Sequence, residues 1–389
     1  MTLPEPDADE RAHSARLAQA LRAEIAAQGP MPFSRWMERC LYAPGLGYYS
    51  AGRTKFGAAG DFVTAPELGD LFARTIARAA APMLRALGAD ADVVELGGGS
   101  GAFAVAALRE LAEADALPRR LRILEPSADL AARQRARVAT ELPVELAARA
   151  EWISRPPEQA WHGLLFANEV IDALPATRFA LHGGEVFEEH VVLDGEGFAR
   201  TDRPADALVA GAVRHLERAL GAPLADGYRS EVLPQLPYWM QAVAGTLEAG
   251  AMLFVDYGYP RAEYYLPERR DGTLVCHYRH RAHGDPLHLP GLTDITAFVD
   301  FTALAEAGVG AGFDLVGYAP QGSFLLASGL LDRVETLEPD AIERVRRVAE
   351  VKRLTLPGDM GQRFQAIAFA RGVEDVLPGL VASDLSRRL

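Results

Sequence analysis

The chain has 389 residues, 49% of them hydrophobic, and 53 acidic side chains against 40 basic ones give a formal net charge of −13. Such a chain can bury a sizeable core in one large or two ordinary domains, and its acidity argues against nonspecific nucleic-acid binding, which needs a basic footprint; a cationic small molecule or basic peptide segment suits it better. Two cysteines, Cys40 and Cys276, build no disulfide framework, the acidic start MTLPEPDADE lacks a targeting pattern, and no apolar run is long enough for membrane insertion, so a cytoplasmic location is expected.

Along the chain, Leu17, Leu21 and Ile25 have helical spacing within 8–29, and a second short helix is predicted over 33–41. The glycine-rich stretch APGLGYYSAGRTKFGAAGDFVTAPE follows. Its aromatics (Tyr48, Tyr49, Phe56, Phe62) are too many for plain disorder, which makes it a candidate lid, with Asp61, Thr64 and Pro66 near its end. A helix over 71–87 leads into a strand over 93–96, where DVVELGGGSGAFAVAAL reads as strand, tight loop and helix: four of the five residues from Gly97 to Gly101 are glycine. Such a unit can hold a pyrophosphate, nucleotide phosphates or the amino-acid part of S-adenosylmethionine, and Gly97-x-Gly99-x-x-Ala102 even meets the permissive dinucleotide fingerprint.

Next come LRILEPS, a strand ending in Glu125, a helix over 129–140, a weak strand near Trp152, and the buried-looking strand GLLFANE. The stretch 179–202 alternates apolar and polar residues around Gly183-Gly184 and Gly195-Glu196-Gly197, so it reads as an antiparallel meander. AMLFVDYG, FDLVGYAP and FQAIAFARG are further strands, and 257–301 is a Tyr-, His-, Arg- and Pro-rich stretch without clear period. Strands alternating with helices predict an α/β fold, a doubly wound, Rossmann-like and mostly parallel sheet. The expected organisation is an N-terminal helical and lid region (1–88), a cofactor-binding core (89–178), an inserted meander with helices (179–250), and the C-terminal half of the sheet (251–389) with a substrate-facing insertion at 257–301.

Ligands in such folds sit at the carboxyl ends of strands, and here those ends are acidic: Glu95, Glu125, Glu169 with Asp172 beyond it, and Asp256. Carboxylates repel a pyrophosphate and attract a sulfonium and an ammonium, so charge favours S-adenosylmethionine over a dinucleotide. In FANEVIDALP an amide and two carboxylates follow a strand, and a helical turn there would put Glu169 and Asp172 on one face. The histidines of CHYRHRAHGDPLH lack the spacing of a zinc site, and no metal is expected. An NAD-dependent oxidoreductase would need a hydride-transfer partner at the fourth strand's end, and NEVID supplies none. A catalytically silent assembly or chaperone-like factor on the same fold stays open.

The ordered set GLGYYS, GDFVTAPELGDLF, VVELGGGSG, LEPS, FANEVIDALP, FVDYGY, DGTLVCHYRHRAHGDP, GLTDITAFVDF and MGQRFQAIAFARG resembles the MidA-like methyltransferases, which include the mitochondrial complex I assembly arginine methyltransferase. The resemblance covers about 32–372 and implies a class I S-adenosylmethionine-dependent methyltransferase: a seven-stranded sheet whose last strand, FQAIAFARG, is antiparallel, with a helical N-terminal cap and an inserted β/loop subdomain. It implies that Glu95, Gly97, Gly98, Gly99, Ser100 and Gly101 cradle the cofactor's amino-acid part. Glu125, with Pro126 and Ser127, would take the ribose, and Asn168 would border the methyl. Glu169, assisted by Asp172, would grip an arginine guanidinium of a protein substrate, by resemblance a respiratory-complex subunit. Asp256 and Tyr257 would open the wall that chooses the partner. Relatives often carry aromatics where this chain has Val170 and Ile171, which changes the wall beside the methyl.

Overall fold

The computed structural model describes residues 3–51, 64–335, 341–374 and 376–389. They form two compact units, each stitched from three stretches of chain: Met1–Phe62, Ile171–Gln235 and Tyr259–Asp300 in the first, and Val63–Val170, Leu236–Gly258 and Phe301–Leu389 in the second.

The second unit is built on strands β1 (Asp92–Leu96), β2 (Leu121–Leu124), β3 (Ala150–Ile153), β4 (Trp161–Asn168), β5 (Leu247–Tyr259), β6 (Asp314–Pro320) and β7 (Phe364–Arg371). They hydrogen-bond in the order β3-β2-β1-β4-β5-β7-β6. All the pairings are parallel except those of β7, which runs antiparallel to both neighbours, so FQAIAFARG is the antiparallel strand of an α/β sheet. The chain winds outward from β1 to β3, then returns to lay β4 on the other side of β1, and that reversal opens a crevice beyond the carboxyl ends of β1 and β4.

Every residue of β1 is buried, and β4 and β5 are apolar through most of their length, as strands covered on both faces require. Helices α1 (Leu71–Leu87) and α2 (Ala102–Glu113) contribute Phe72 and Phe103 to this core, and the Phe103 ring stacks on Phe166 of β4 with centroids 4.0 Å apart. At their amino ends β1, β4 and β5 approach so closely that a Cβ on Gly163 would lie 1.8 Å from the Asp92 carbonyl oxygen, and one on Gly250 1.9 Å from that of Gly163.

In the first unit the helix Ala8–Gln28 starts at a capping box in which the Asp7 carboxylate accepts from the Glu10 backbone and the Glu10 carboxylate from that of Asp7. Its Leu17, Leu21 and Ile25 pack with Phe33, Trp36 and Met37 of the helix Phe33–Tyr42. The meander is Thr177–His182, Glu185–Asp194 and Gly197–Pro204, joined antiparallel, with Met31–Pro32 and Arg229–Val232 completing the sheet.

Three features differ from the sequence-based expectation. The aperiodic stretch 257–301 contains a small antiparallel sheet, Arg281–His283, Val275–Tyr278 and Asp294–Thr296, whose strands of three or four residues are too short to display a period. β5 continues to Tyr259, so Asp256 lies within the strand. No helical turn follows β4: Glu169 sits at φ 53°, in the left-handed region, and the chain turns without helix through 169–174. Among the described residues no helix is long and apolar enough to cross a membrane.

Candidate cofactor and methyl-transfer site

At the end of β1 the backbone turns through Gly97 (φ 66°), Gly99 (φ 52°) and Gly101 (φ 84°), the last capping α2. A Cβ on Gly98 would lie 2.6 Å from the Ile123 side chain, whereas one on Gly99 would meet nothing within 4 Å. The loop is thus packed tightly on one side and open at Gly99, where a ligand can approach the main chain. Glu95 is buried just before it, and its Oε2 has no hydrogen-bond partner among the described residues. Burial, with Glu125 adding like charge, pushes the Glu95 carboxyl up to about 8. A buried, orphaned acid oxygen suits an ammonium-bearing ligand, which draws off the proton and pairs with the carboxylate; the residues present therefore fit S-adenosylmethionine.

Glu125 follows β2 and is held from two sides. Its Oε1 accepts from the Ser127 backbone at 2.9 Å and its Oε2 from Gln134 Nε2 at 3.0 Å. Ser127 caps helix α3 (Ala128–Glu141), accepting from Leu130 N, and Pro126 between them is exposed. Ser100 is engaged from the far side of the loop: its hydroxyl donates to Glu67 and accepts from Arg137, and Arg137 lies 3.6 Å from Glu67. Sequence reasoning passed over Gln134, Glu67 and Arg137. For Gln134 a signal was there: it interrupts the buried stripe of Leu130, Ala131 and Val138 on α3 with a polar group.

Asn168 ends β4, donates through Nδ2 to Glu169 Oε1 at 2.9 Å, and leaves a buried Oδ1 with no partner among the described residues. The Glu169 amide donates to the Val255 carbonyl at 2.9 Å, which ties the left-handed residue to β5. Val170 packs at the loop, 3.2 Å from where a Gly97 Cβ would stand. Asp256 is buried in β5, its carboxylate accepting from Tyr257 N, and the Tyr257 ring meets Phe364 edge-on at 5.5 Å. Thr64 precedes a one-turn helix, Ala65–Leu68, that contains Pro66; Asp61, Phe56 and Phe62 lie outside the described residues.

Asp172 belongs to the other unit, where it is buried and its carbonyl accepts from Ala297 N. There Tyr49 stacks on Tyr42 and donates to Asp294 Oδ1 at 3.0 Å, and Tyr42 donates to the Ala173 carbonyl. The His283 and His288 rings meet edge to face with centroids 5.5 Å apart. Among the described residues no group of three or more His, Cys, Asp or Glu could hold a metal ion.

Residues 75–319 match the family described as "Putative S-adenosyl-L-methionine-dependent methyltransferase". A protein of Burkholderia thailandensis, solved bound to S-adenosyl-homocysteine, is 43% identical, with a TM-score of 0.93 and 100% of each chain covered. Protein arginine methyltransferase NDUFAF7 homolog, mitochondrial, of Drosophila melanogaster is 29% identical over 98% of this chain and 90% of its own. Protein arginine methyltransferase NDUFAF7, mitochondrial, of Danio rerio is 27% identical over 89% and 84%. These relatives overturn the cytoplasmic expectation, for both are mitochondrial proteins by name. That expectation rested on the cysteine count, the acidic N-terminus and the lack of a membrane-length apolar run; the first reports only a reducing milieu, and none of the three names a compartment.

Proposed function

Because the chain belongs to the S-adenosyl-L-methionine-dependent methyltransferase family, and takes S-adenosylmethionine as its methyl donor, we propose that its acceptor is an arginine side chain of a protein. The observation that carries this reading is the extent of the curated relatives named protein arginine methyltransferase, which span most of both chains. The chemistry of the strand ends supports it. An arginine guanidinium is charged at any ordinary pH, so its methylation needs a carboxylate that grips the fork and accepts a proton as the new bond forms.

Glu169, at the end of β4 and tethered to Asn168, takes that role. Glu95 meets the donor's ammonium, the loop from Gly97 through Gly98, Gly99, Ser100 and Gly101 wraps its amino-acid part, and Glu125 with Pro126 and Ser127 takes the ribose hydroxyls. When bound, the donor supplies a methyl on a sulfonium. The chain contributes alignment, exclusion of water and a fixed negative charge. Asn168 Oδ1, buried and unpartnered among the described residues, offers an acceptor for an N–H beside the methyl. Thr64 and Pro66 serve the covering of the site, and Asp256 and Tyr257 begin the wall that selects the partner.

The test is transfer of tritiated methyl from S-adenosylmethionine into a lysate of cells lacking the protein, followed by hydrolysis of the labelled band. Methylarginine is expected. Label in another amino acid would replace the proposed acceptor, and a purified chain that binds the donor yet labels nothing would favour a silent assembly factor.

A further inference from the structure

Gln134 is fully buried on α3, and its side-chain amide joins the ends of three strands. Its Nε2 donates to the Gly99 carbonyl at 2.9 Å, in the loop after β1, and to Glu125 Oε2 at 3.0 Å, after β2; its Oε1 accepts from Trp152 Nε1 at 2.9 Å, on β3. An indole N–H only donates, so Trp152 turns the amide carbonyl toward itself and leaves both amide hydrogens for Gly99 and Glu125. The glycines make room for this: a Cβ on Gly98 would stand 3.3 Å from Gln134 Nε2, and one on Gly101 3.4 Å from Gln134 Cα.

From this geometry we infer that Gln134 is a positioning residue for the methyl donor, setting the Glu125 carboxylate and the Gly99 backbone in one fixed relation before the donor arrives. The Ser127 backbone donates to one Glu125 oxygen and Gln134 to the other, so the carboxylate plane is held in one orientation. A pair of vicinal hydroxyls is recognised by such an oriented carboxylate, and a freely turning one would have to be ordered on binding. The inference rests on the proposed ribose role of Glu125. No hydrophobic side chain of similar length can substitute, since it would strand the Gly99 carbonyl, Glu125 Oε2 and the Trp152 N–H together. A protonated glutamate would supply one of the two donated bonds through its hydroxyl while its carbonyl still accepts from Trp152, and an ionised one would supply neither.

The experiment measures S-adenosyl-homocysteine affinity by calorimetry, with melting temperature alongside, for the full chain and for Gln134→Met, Gln134→Glu and Glu125→Gln between pH 5.5 and 8.5. Gln134→Met should weaken binding on the order of 10- to 100-fold, by analogy with removal of a residue that orients a metal ligand. Gln134→Glu should be least impaired at the acid end and lose further affinity relative to the parent as pH rises, because ionisation puts a second carboxylate against Glu125. Gln134→Met within twofold of the parent would overturn the inference. So would a Gln134→Glu deficit that does not vary with pH and merely tracks the loss of melting temperature, since that is a packing effect. If Glu125→Gln itself binds as the parent does, the ribose reading of Glu125 fails; if Glu125→Gln is weakened while Gln134→Met is not, only the role of Gln134 fails.

Discussion

A carboxyl buried beside a glycine loop keeps its proton until a cation makes ionisation worthwhile, and Glu95 is placed for this. Its folded value near 8 lies above the ordinary 4.5, so between those values the folded chain holds a proton that the unfolded chain has released. Folding stability then declines as pH climbs from about 4.5 to 8, with no further loss from this group above 8. Glu350, pushed up to about 7 by burial, adds a slope of the same sign, and comparison of Glu95→Gln with the parent isolates the contribution of Glu95. The substitution should flatten the decline of melting temperature across that range. An ammonium brought to Glu95 favours its ionised form, so at pH 7 donor binding should release close to one proton from the parent and fewer from Glu95→Gln. Calorimetry in two buffers of different ionisation enthalpy measures this, and equal release from both proteins would remove Glu95 from the ammonium site. The positions of Glu95 and Glu125 were legible from sequence because each acid stands beside the end of an apolar run, Glu95 one residue before the end of β1 and Glu125 one after the end of β2. The conformation of Glu169 was not, since only glycine advertises a positive φ.

At the scale of elements, β1, β4 and β5 set the site by starting in a fixed register, with Asp92 opposite Gly163 and Gly163 opposite Gly250. A Cβ at Gly163 would run into backbone rather than a movable side chain. Gly163→Ala should therefore destabilise by about 3 kcal/mol or more and shift the carboxyl ends of β1 and β4 relative to each other. Denaturant titration checks this, and a loss under 1 kcal/mol would show that the strands can slide apart to admit a methyl. The strands and helices of the sheet were readable because each is a run of one period bounded by glycine, proline or a cap. The short strands of 275–296 were not, and neither was the union at Gln134: its partners Gly99 and Trp152 stand 35 and 18 residues away along the chain and meet only when the sheet winds.

For the molecule as a whole, the excess of acid over base and the acidic strand ends favoured a cationic donor over a dinucleotide before any fold was known. Glu169 belongs to the unit that carries the cofactor crevice and Asp172 to the unit built on the meander, so the two carboxylates of one motif fall in different units. The central expectation is that Glu169 acts on the acceptor and not on the donor. Its most direct test is single-turnover transfer to the labelled acceptor, run beside donor-binding calorimetry for the parent and Glu169→Gln. Replacing the carboxylate by an amide of equal size should slow transfer by roughly 10²–10⁴ through loss of a general base, while donor affinity stays within about twofold. Full turnover by Glu169→Gln, or loss of donor binding in place of loss of rate, would contradict the assignment of Glu169 to the acceptor.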